Sequence, residues 1–444
     1  IYLLKYITVL ILRFRSYKLP FIRNMAFDLN DRNFIEKLVH EPVLTFSLKE
    51  GSKAGDNIAG DLKSIEIKTK TRDLHLIHKT FPASPVDKDR VRNYRVFWVE
   101  NQFYSSLKPD FEQLVPSSLD YKIPTAQFYA GMNDNENDYI TMEDLRPAGY
   151  KMPDKFQGLS FPEVSKVMEV LAKFHAAGYY FLRVKGEGYF DSKYPLFSCN
   201  NFFLHDNRSM RPVFIQAIYT SMCDIISELE PEMGAKVSKF AGLSLTDFGT
   251  VINEIMDLTD TKMFPTIVHG DLWVNNILVK EVEGQVDVKF VDFQMTRRGN
   301  IFDDLVYFMF TSTTAEFRRK YLQEMLSIYY ENFAGFLKEV KYELPIGFSR
   351  ASLIDGFSSL VIPGFVYMTF AIPMQLGIPL AFPEVMEIQK QVMLEDGVVT
   401  ENVTAFTLEQ RARFLREKLR RETKVSPVAL KRLVEMAKEV YPFL

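Results

Sequence analysis

Strand and helix patterns alternate along this chain in a readable order. Ser64-Ile65-Glu66-Ile67-Lys68 alternates with period two, Leu74 and Leu76 run into Ile77-His78-Lys79, and Tyr139-Ile140-Thr141-Met142 gives a third strand. Farther on, Ile277-Leu278-Val279 leads to a polar stretch, Glu281 to Gln285, with Gly284 at the bend. Val286, Val288 and Phe290 then alternate with Asp287 and Lys289, which predicts a hairpin. Helical spacing predicts an acidic-capped helix from Asn30 to Val39. A second is predicted from Arg90 to Leu107 with Val96, Phe97, Phe103 and Leu107 inward, and a third from Phe161 to Ala177 with Val164, Val167, Leu171, Phe174 and His175 on one face. His175 is expected to be packed or locally bonded rather than catalytic.

Two late regions need a decision. Phe357 to Phe382 carries no charged residue, but Pro363, Pro373 and Pro379, with Gly364 and Gly377, interrupt it. Prolines inside an apolar run break or kink helices. The run therefore reads as buried helices, with an acceptor-pocket wall as one use and a membrane-anchored carrier as the rival reading. Thr407 to Tyr441 alternates apolar and basic positions, as on Leu408 to Arg421, which reads as an amphipathic surface closing the fold.

Composition narrows the class. The chain has 444 residues, 47% of them hydrophobic and 14% aromatic, ample for two cores. A net charge of -3 without a dominant basic run gives no nucleic-acid footprint. Two cysteines, Cys199 and Cys223, argue against a disulfide framework and suit a reducing cytoplasmic setting. The amino end opens on Ile1, and Ile1 to Leu12 is largely apolar but short of the roughly 20 residues a bilayer needs. A truncated signal peptide fits poorly, because Arg13 and Arg15 come after the apolar run and no small-residue cleavage site is evident. Met25 is the expected natural start, with residues 1–24 an extension that is non-native or disordered.

The chemistry concentrates in Val268-His269-Gly270-Asp271-Leu272-Trp273-Val274-Asn275-Asn276 and, after the hairpin, Val291-Asp292-Phe293-Gln294. Phosphoryl transfer needs a base for the incoming hydroxyl and oxygen donors for the magnesium that neutralises the triphosphate. Asp271 supplies the base. Asn276 stands at the offset of the second-metal amide in a phosphotransfer loop, and Asp292 sits where the metal carboxylate belongs. Upstream, Lys79 at a strand end is the candidate phosphate ligand, and Glu100 its orienting carboxylate. The stretch from Gly51 to Gly60 precedes them as a glycine-bearing covering loop. Glu143-Asp144-Leu145 forms a candidate hinge whose backbone would meet the adenine edge, before Pro147 and Gly149 break the chain. His269 and Asp304 are expected to support the catalytic loop.

These residues resemble the ecdysteroid kinase-like (CHK kinase-like) family, related to choline kinases and aminoglycoside phosphotransferases. The matching residues are Gly55-Asp56-Asn57, Lys79, Glu100 with Phe103-Tyr104, Glu143-Asp144-Leu145, Leu171 to Ala176, His269 to Asn276, Val291 to Gln294 and Asp304-Leu305. They extend from about residue 50 to about residue 310. Gln294 and Gly270 stand where protein kinases carry glycine and arginine. Asp56, where glutamate is expected, and His78, where an aliphatic residue is usual, are departures that remove no catalytic group.

The resemblance implies an α+β, two-lobed, protein kinase-like fold. Residues 25–145 would form a small antiparallel-sheet lobe with one helix, and 146–444 a larger, mainly helical lobe. It also implies ATP and Mg2+ as cofactors and a small-molecule alcohol as acceptor, an ecdysteroid or another apolar or xenobiotic alcohol. Gly55, Asn57, Lys79, Glu100, Glu143 and Leu145 would bind nucleotide, Asn276 and Asp292 metal, and Asp271 would be catalytic. No nucleic-acid partner and no stable membrane insertion are expected. A choline, ethanolamine or aminoglycoside kinase, and a nucleotide-binding pseudokinase without turnover, are the alternatives.

Overall fold

The computed structural model describes residues 28–51, 60–83, 88, 91–92, 95–198, 211–238, 241–243, 247–248, 264–376, 410, 413, 417 and 426–443. The expectations for residues 1–24, for Gly55 and Asn57, and for most of Leu408 to Arg421 lie outside these. The chain divides into two compact units, one of Ile1–Asn93 with Gln127–Asp144, the other of Tyr94–Ala126 with Leu145–Leu444.

The first unit is built on a five-stranded antiparallel sheet. Helix α1 (Arg32–Val39) starts at Asp31, whose carboxylate accepts from the Asn33 N–H, a standard way to satisfy an otherwise orphaned donor. Strands β1 (Val43–Glu50), β2 (Asp61–Thr69), β3 (Asp73–Thr80), β4 (Phe128–Met132) and β5 (Tyr139–Glu143) lie in the order β1-β2-β3-β5-β4. The period-two pattern is why β2 turns Ile65 and Ile67 into a core with Phe34, Ile35 and Leu76, while Glu66 stays outside and pairs with Lys49 at 2.6 Å. His78 is buried on β3, 2.7 Å through Nδ1 from the Thr141 hydroxyl of its register partner and stacked on Tyr139 at 5.0 Å. Burial pushes its imidazole down to about 3. The residue that departs from an aliphatic expectation is thus a neutral, locally bonded core histidine.

The second unit is mainly helical. Its first helix runs as α2 (Val96–Gln102), a π-turn at Phe103–Leu107, and α3 (Lys108–Leu114). The expected inward face is present, since Val96, Phe97, Phe103 and Leu107 are all buried. Pro109 explains the wider turn: its ring has no N–H for the carbonyl four residues back and crowds it, and a π-turn relieves both. Helix α4 (Phe161–Lys185) outruns its predicted end by two turns, and Ser160 and Glu163 cap its start reciprocally. Gly178 on α4 lets strand β6 (Pro265–Val268) approach; a Cβ there would lie 2.7 Å from Thr266 Oγ1.

Beyond β6, the hairpin of β7 (Ile277–Val282) and β8 (Gln285–Phe290) forms as the alternation predicts, and β9 (Arg297–Asn300) returns antiparallel to β6. Helix α5 (Ile301–Ser312) leaves directly from β9 through a reciprocal cap between Asn300 and Asp303. Helix α6 (Ala315–Glu339) packs along α4. The described part of the uncharged run, from Phe357 to Leu376, covers the end of α7 (Arg350–Ser359) and all of α8 (Val361–Gln375), with a break near Leu360, and Gly364 fits α8 against Val306; residues 377–382 of the run lie outside the described residues. Among the described residues no single helix is long and apolar enough to cross a membrane; the bent pair Arg350–Ser359 and Gly364–Pro373, at 55°, passes on length and composition alone.

Candidate active site

The His-Gly-Asp turn comes directly after β6, and a single carboxylate shapes it. Asp304, one turn into α5 and fully buried, accepts from the His269 N–H at 2.7 Å, the Gly270 N–H at 2.8 Å and His175 Nε2 at 3.0 Å. Burial alone would raise its pKa, but the His175 bond and the neighbouring imidazole and backbone dipoles outweigh it and hold the carboxyl below its ordinary 3.8. His175 is in turn 2.7 Å through Nδ1 from the Tyr329 hydroxyl. As the sequence predicts, His175 is a packed, bonded residue of the core.

Gly270 has φ +83, and a Cβ there would sit 2.2 Å from the Met295 carbonyl oxygen. No side chain fits, so the turn between His269 and Asp271 requires glycine. His269 spans the loop with both ring nitrogens. Nε2 donates to the Val291 carbonyl at 2.9 Å, and Nδ1 accepts from the Asp271 N–H at 3.3 Å. That pairing fixes a neutral tautomer, and burial keeps the ring's pKa below its usual value.

Asp271 and Asn276 meet directly. The Asn276 amide donates Nδ2 to the Asp271 backbone oxygen at 2.7 Å and to Oδ2 at 3.1 Å. Because both partners are acceptors, the amide orientation is determined, and its oxygen Oδ1 points the other way. Burial pushes the Asp271 carboxyl up to about 7; the Tyr307 hydroxyl bond and the Asn276 bond pull it down, while Asp292 and Asp304 add to the rise.

Asp292 joins them through the backbone. The Val291 N–H donates to the Asn276 carbonyl at 3.0 Å, so the residue preceding Asp292 is fixed to the residue bearing the second oxygen donor. Asp292 takes a left-handed backbone at φ 66 and accepts from Gln294 Nε2 at 3.0 Å. Phe293 stacks on Phe103 at 3.9 Å, which fixes α2 against this turn. Glu100 is buried one turn before Phe103. Burial first, then the charges of Glu100 and Asp292, raise the Tyr104 phenol well above its usual value.

Asp271, Asn276, Asp292, Glu100, His269 and Asp304 therefore gather in the second unit. Lys79, near the end of β3 and largely buried, belongs to the first unit, as does Glu143, whose N–H and carboxylate both pair with Gln127. Leu145, with a buried side chain, begins the second segment of the second unit. Tyr307, which donates to Asp271 Oδ1 at 2.6 Å, was not anticipated. Neither was Gln375 behind it, at 2.6 Å from the Tyr307 oxygen.

The donor set suits magnesium. Among the described residues no group of three or more His, Cys, Asp or Glu side chains forms a metal cage. The Asp292 carboxylate and the Asn276 amide oxygen nonetheless fit magnesium, which keeps several waters and usually binds one or two carboxylates together with substrate phosphates.

The sequence matches the ecdysteroid kinase-like family over residues 54–342. The chain belongs to that family. Membership makes this kinase-like protein a phosphotransferase acting on small-molecule alcohols. No curated protein matches its sequence. Its structure is similar to an ethanolamine kinase of Plasmodium vivax, with a TM-score of 0.40 at 12% identity over 84% of this chain and 83% of that one. It is also similar to a spectinomycin phosphotransferase in complex with ADP and spectinomycin, with a TM-score of 0.34 at 9% identity over 91% and 94%.

Proposed function

We propose that this family member is an ATP-dependent kinase that transfers the γ-phosphoryl group to the hydroxyl of a neutral, largely apolar alcohol, an ecdysteroid or a xenobiotic of similar character. The observation that carries this reading is the convergence of Asp271, Asn276 and Asp292 on one buried loop system.

Asp271 orients the acceptor hydroxyl and accepts its proton as the oxygen attacks phosphorus and the bond to the ADP leaving oxygen breaks. Asn276, through Oδ1, and Asp292 are the magnesium ligands. When bound, magnesium supplies positive charge against the triphosphate and keeps Asp271 ionised beside Asp292. Lys79 is assigned to the nucleotide phosphates, Glu100 to orienting it, and Gly55, Asn57, Glu143 and Leu145 to the covering loop and hinge. His269 and Asp304 hold the loop.

A neutral acceptor is favoured over a cationic one by what the acids of α5 already do. Asp303 bonds Arg297 at 3.1 Å, and Asp304 is occupied by three donors. Helix α8, whose last residue reaches the network around Asp271, carries no charge. Cytoplasmic residence fits Cys223, a buried free thiol.

Mass spectrometry of products from ATP, Mg2+ and a panel of ecdysteroids, plant phenols, glycosides, choline, ethanolamine and aminoglycosides tests this. One added phosphate on a neutral alcohol is expected. Phosphorylation confined to the cationic acceptors overturns the acceptor class, and ATP binding without any product makes the protein a pseudokinase.

A further inference from the structure

Asp271 is gripped from a side that its own motif does not contain. The Tyr307 hydroxyl on α5 donates to Oδ1 at 2.6 Å, and the same hydroxyl oxygen accepts from Gln375 Nε2, the last residue of α8, also at 2.6 Å. The direction of both bonds is set by chemistry. A carboxylate only accepts, so the single phenol proton goes to Asp271, and the amide must present its NH2 group to the phenol oxygen. Asn276 meanwhile holds Oδ2 at 3.1 Å. The carboxylate is therefore fixed at both oxygens, by α5 on one side and by its own loop on the other.

Packing alone does not account for Gln375. It is 7% exposed on a helix whose neighbours Ile372 and Leu376 are buried and apolar. An amide in such surroundings is costly unless its hydrogen bonds are met, and a leucine would fill the space without that cost. Gln375 reaches Asp271 through the Tyr307 hydroxyl.

We propose that Tyr307 and Gln375 are positioning residues acting in series, a relay in which α8 sets the orientation of the base without touching it. This rests on Asp271 being the base of the reaction. With its plane fixed, each carboxylate oxygen keeps its unused lone pair in a set direction, and an acceptor hydroxyl arrives at a prepared proton acceptor. Loss of the relay lets Asp271 rotate, which lowers kcat and leaves nucleotide binding alone. Small misplacements of a reacting group cost up to about 100-fold in rate.

The test uses the full chain with ATP, Mg2+ and the best acceptor from the product panel, comparing wild type with Tyr307→Phe, Gln375→Leu, Gln375→Glu and the Tyr307→Phe/Gln375→Leu double variant. Urea unfolding and ATP affinity are measured alongside as folding controls. Tyr307→Phe is expected to lose roughly 10- to 100-fold in kcat with KM for ATP within about 3-fold, and Gln375→Leu to lose less. The double variant is expected to match Tyr307→Phe, because a residue acting through a hydroxyl has no effect once the hydroxyl is gone. Gln375→Glu keeps the size but reverses the bond, drawing the phenol proton away from Asp271, and is expected to lose as much as Tyr307→Phe. Wild-type kcat in Tyr307→Phe overturns the proposal, as does a Gln375→Leu loss that persists undiminished in the Tyr307→Phe background. Should Tyr307→Phe not fold, the two Gln375 variants decide: wild-type kcat in both overturns it. A wild-type protein that transfers phosphate to no alcohol and to no water overturns the kinase reading itself, and that outcome is recognisable because it appears before any substitution is made.

Discussion

Replacing Asp304 by Asn removes charge and one acceptor while leaving volume unchanged, and the geometry of the three donors fixes the consequence. The best placement of the amide oxygen is the Oδ2 position, where it still accepts from the His269 N–H and from His175 Nε2. The amide nitrogen then faces the Gly270 N–H across what was a 2.8 Å bond, donor against donor. One charge-assisted bond is lost outright and two are weakened in a fully buried site. A bond to a charged group contributes about 1.5–3 kcal/mol and its neutral equivalent about 1, so the expected loss of stability is roughly 2.5–7 kcal/mol. Gly270 and Asp271 shift as the turn relaxes, so kcat is expected to fall while ATP affinity holds. Urea unfolding near neutral pH, steady-state kinetics and ATP titration read all three. An Asp304→Asn protein within about 0.5 kcal/mol of wild type and with normal kcat would refute the claim that this carboxylate shapes the loop.

Three further substitutions probe the turn, the sheet and the metal site. Gly270→Ala places a Cβ 2.2 Å from the Met295 oxygen at φ +83, and is expected to cost at least about 3 kcal/mol in unfolding experiments; a well-folded, active variant contradicts the turn geometry. His78 is expected to make the protein acid-labile, since the unfolded chain takes up a proton near 6.5 and the native imidazole only near 3. Its contribution is fully present above pH 6.5 and declines as pH falls toward 3, by up to about 1.4 kcal/mol per pH unit. Urea titrations should show that slope reduced in His78→Gln, and an unchanged slope counts against the assignment. Asn276→Ala is expected to raise the Mg2+ concentration for half-maximal transfer by roughly 10- to 100-fold, and an unaltered magnesium titration removes Asn276 from the metal site.

Local pattern made some of this legible. The β7-β8 hairpin, the inward face of α2, the acidic cap of α1 and the spacing from Asp271 to Asn276 all arise within short windows, where alternation, helical period and turn chemistry act directly. The π-turn at Phe103–Leu107 did not show, although Pro109 was its cause, because a proline announces disruption without saying which kind. Tyr307 and Gln375 were invisible for a different reason. They lie 36 residues from Asp271 and 68 residues from Tyr307 respectively, and only the packing of α5 and α8 brings them together. Gln375 in particular sits in a run whose hydropathy dominates, where one amide among apolar neighbours carries no periodic signal. Glycine at 270 stands out in the sequence as a departure from protein kinases, while its necessity depends on the Met295 carbonyl folding back over it.

Every role assigned to the loop depends on Asp271 being the base of a magnesium-supported phosphoryl transfer. Single-turnover transfer from γ-labelled ATP to the identified acceptor, measured for wild type and Asp271→Asn at matched ATP occupancy, addresses it most directly. A labelled phosphorylated alcohol is expected from wild type and a rate at least about 100-fold lower from the variant, with ATP bound nearly as tightly. Equal rates in the two proteins would contradict the assignment.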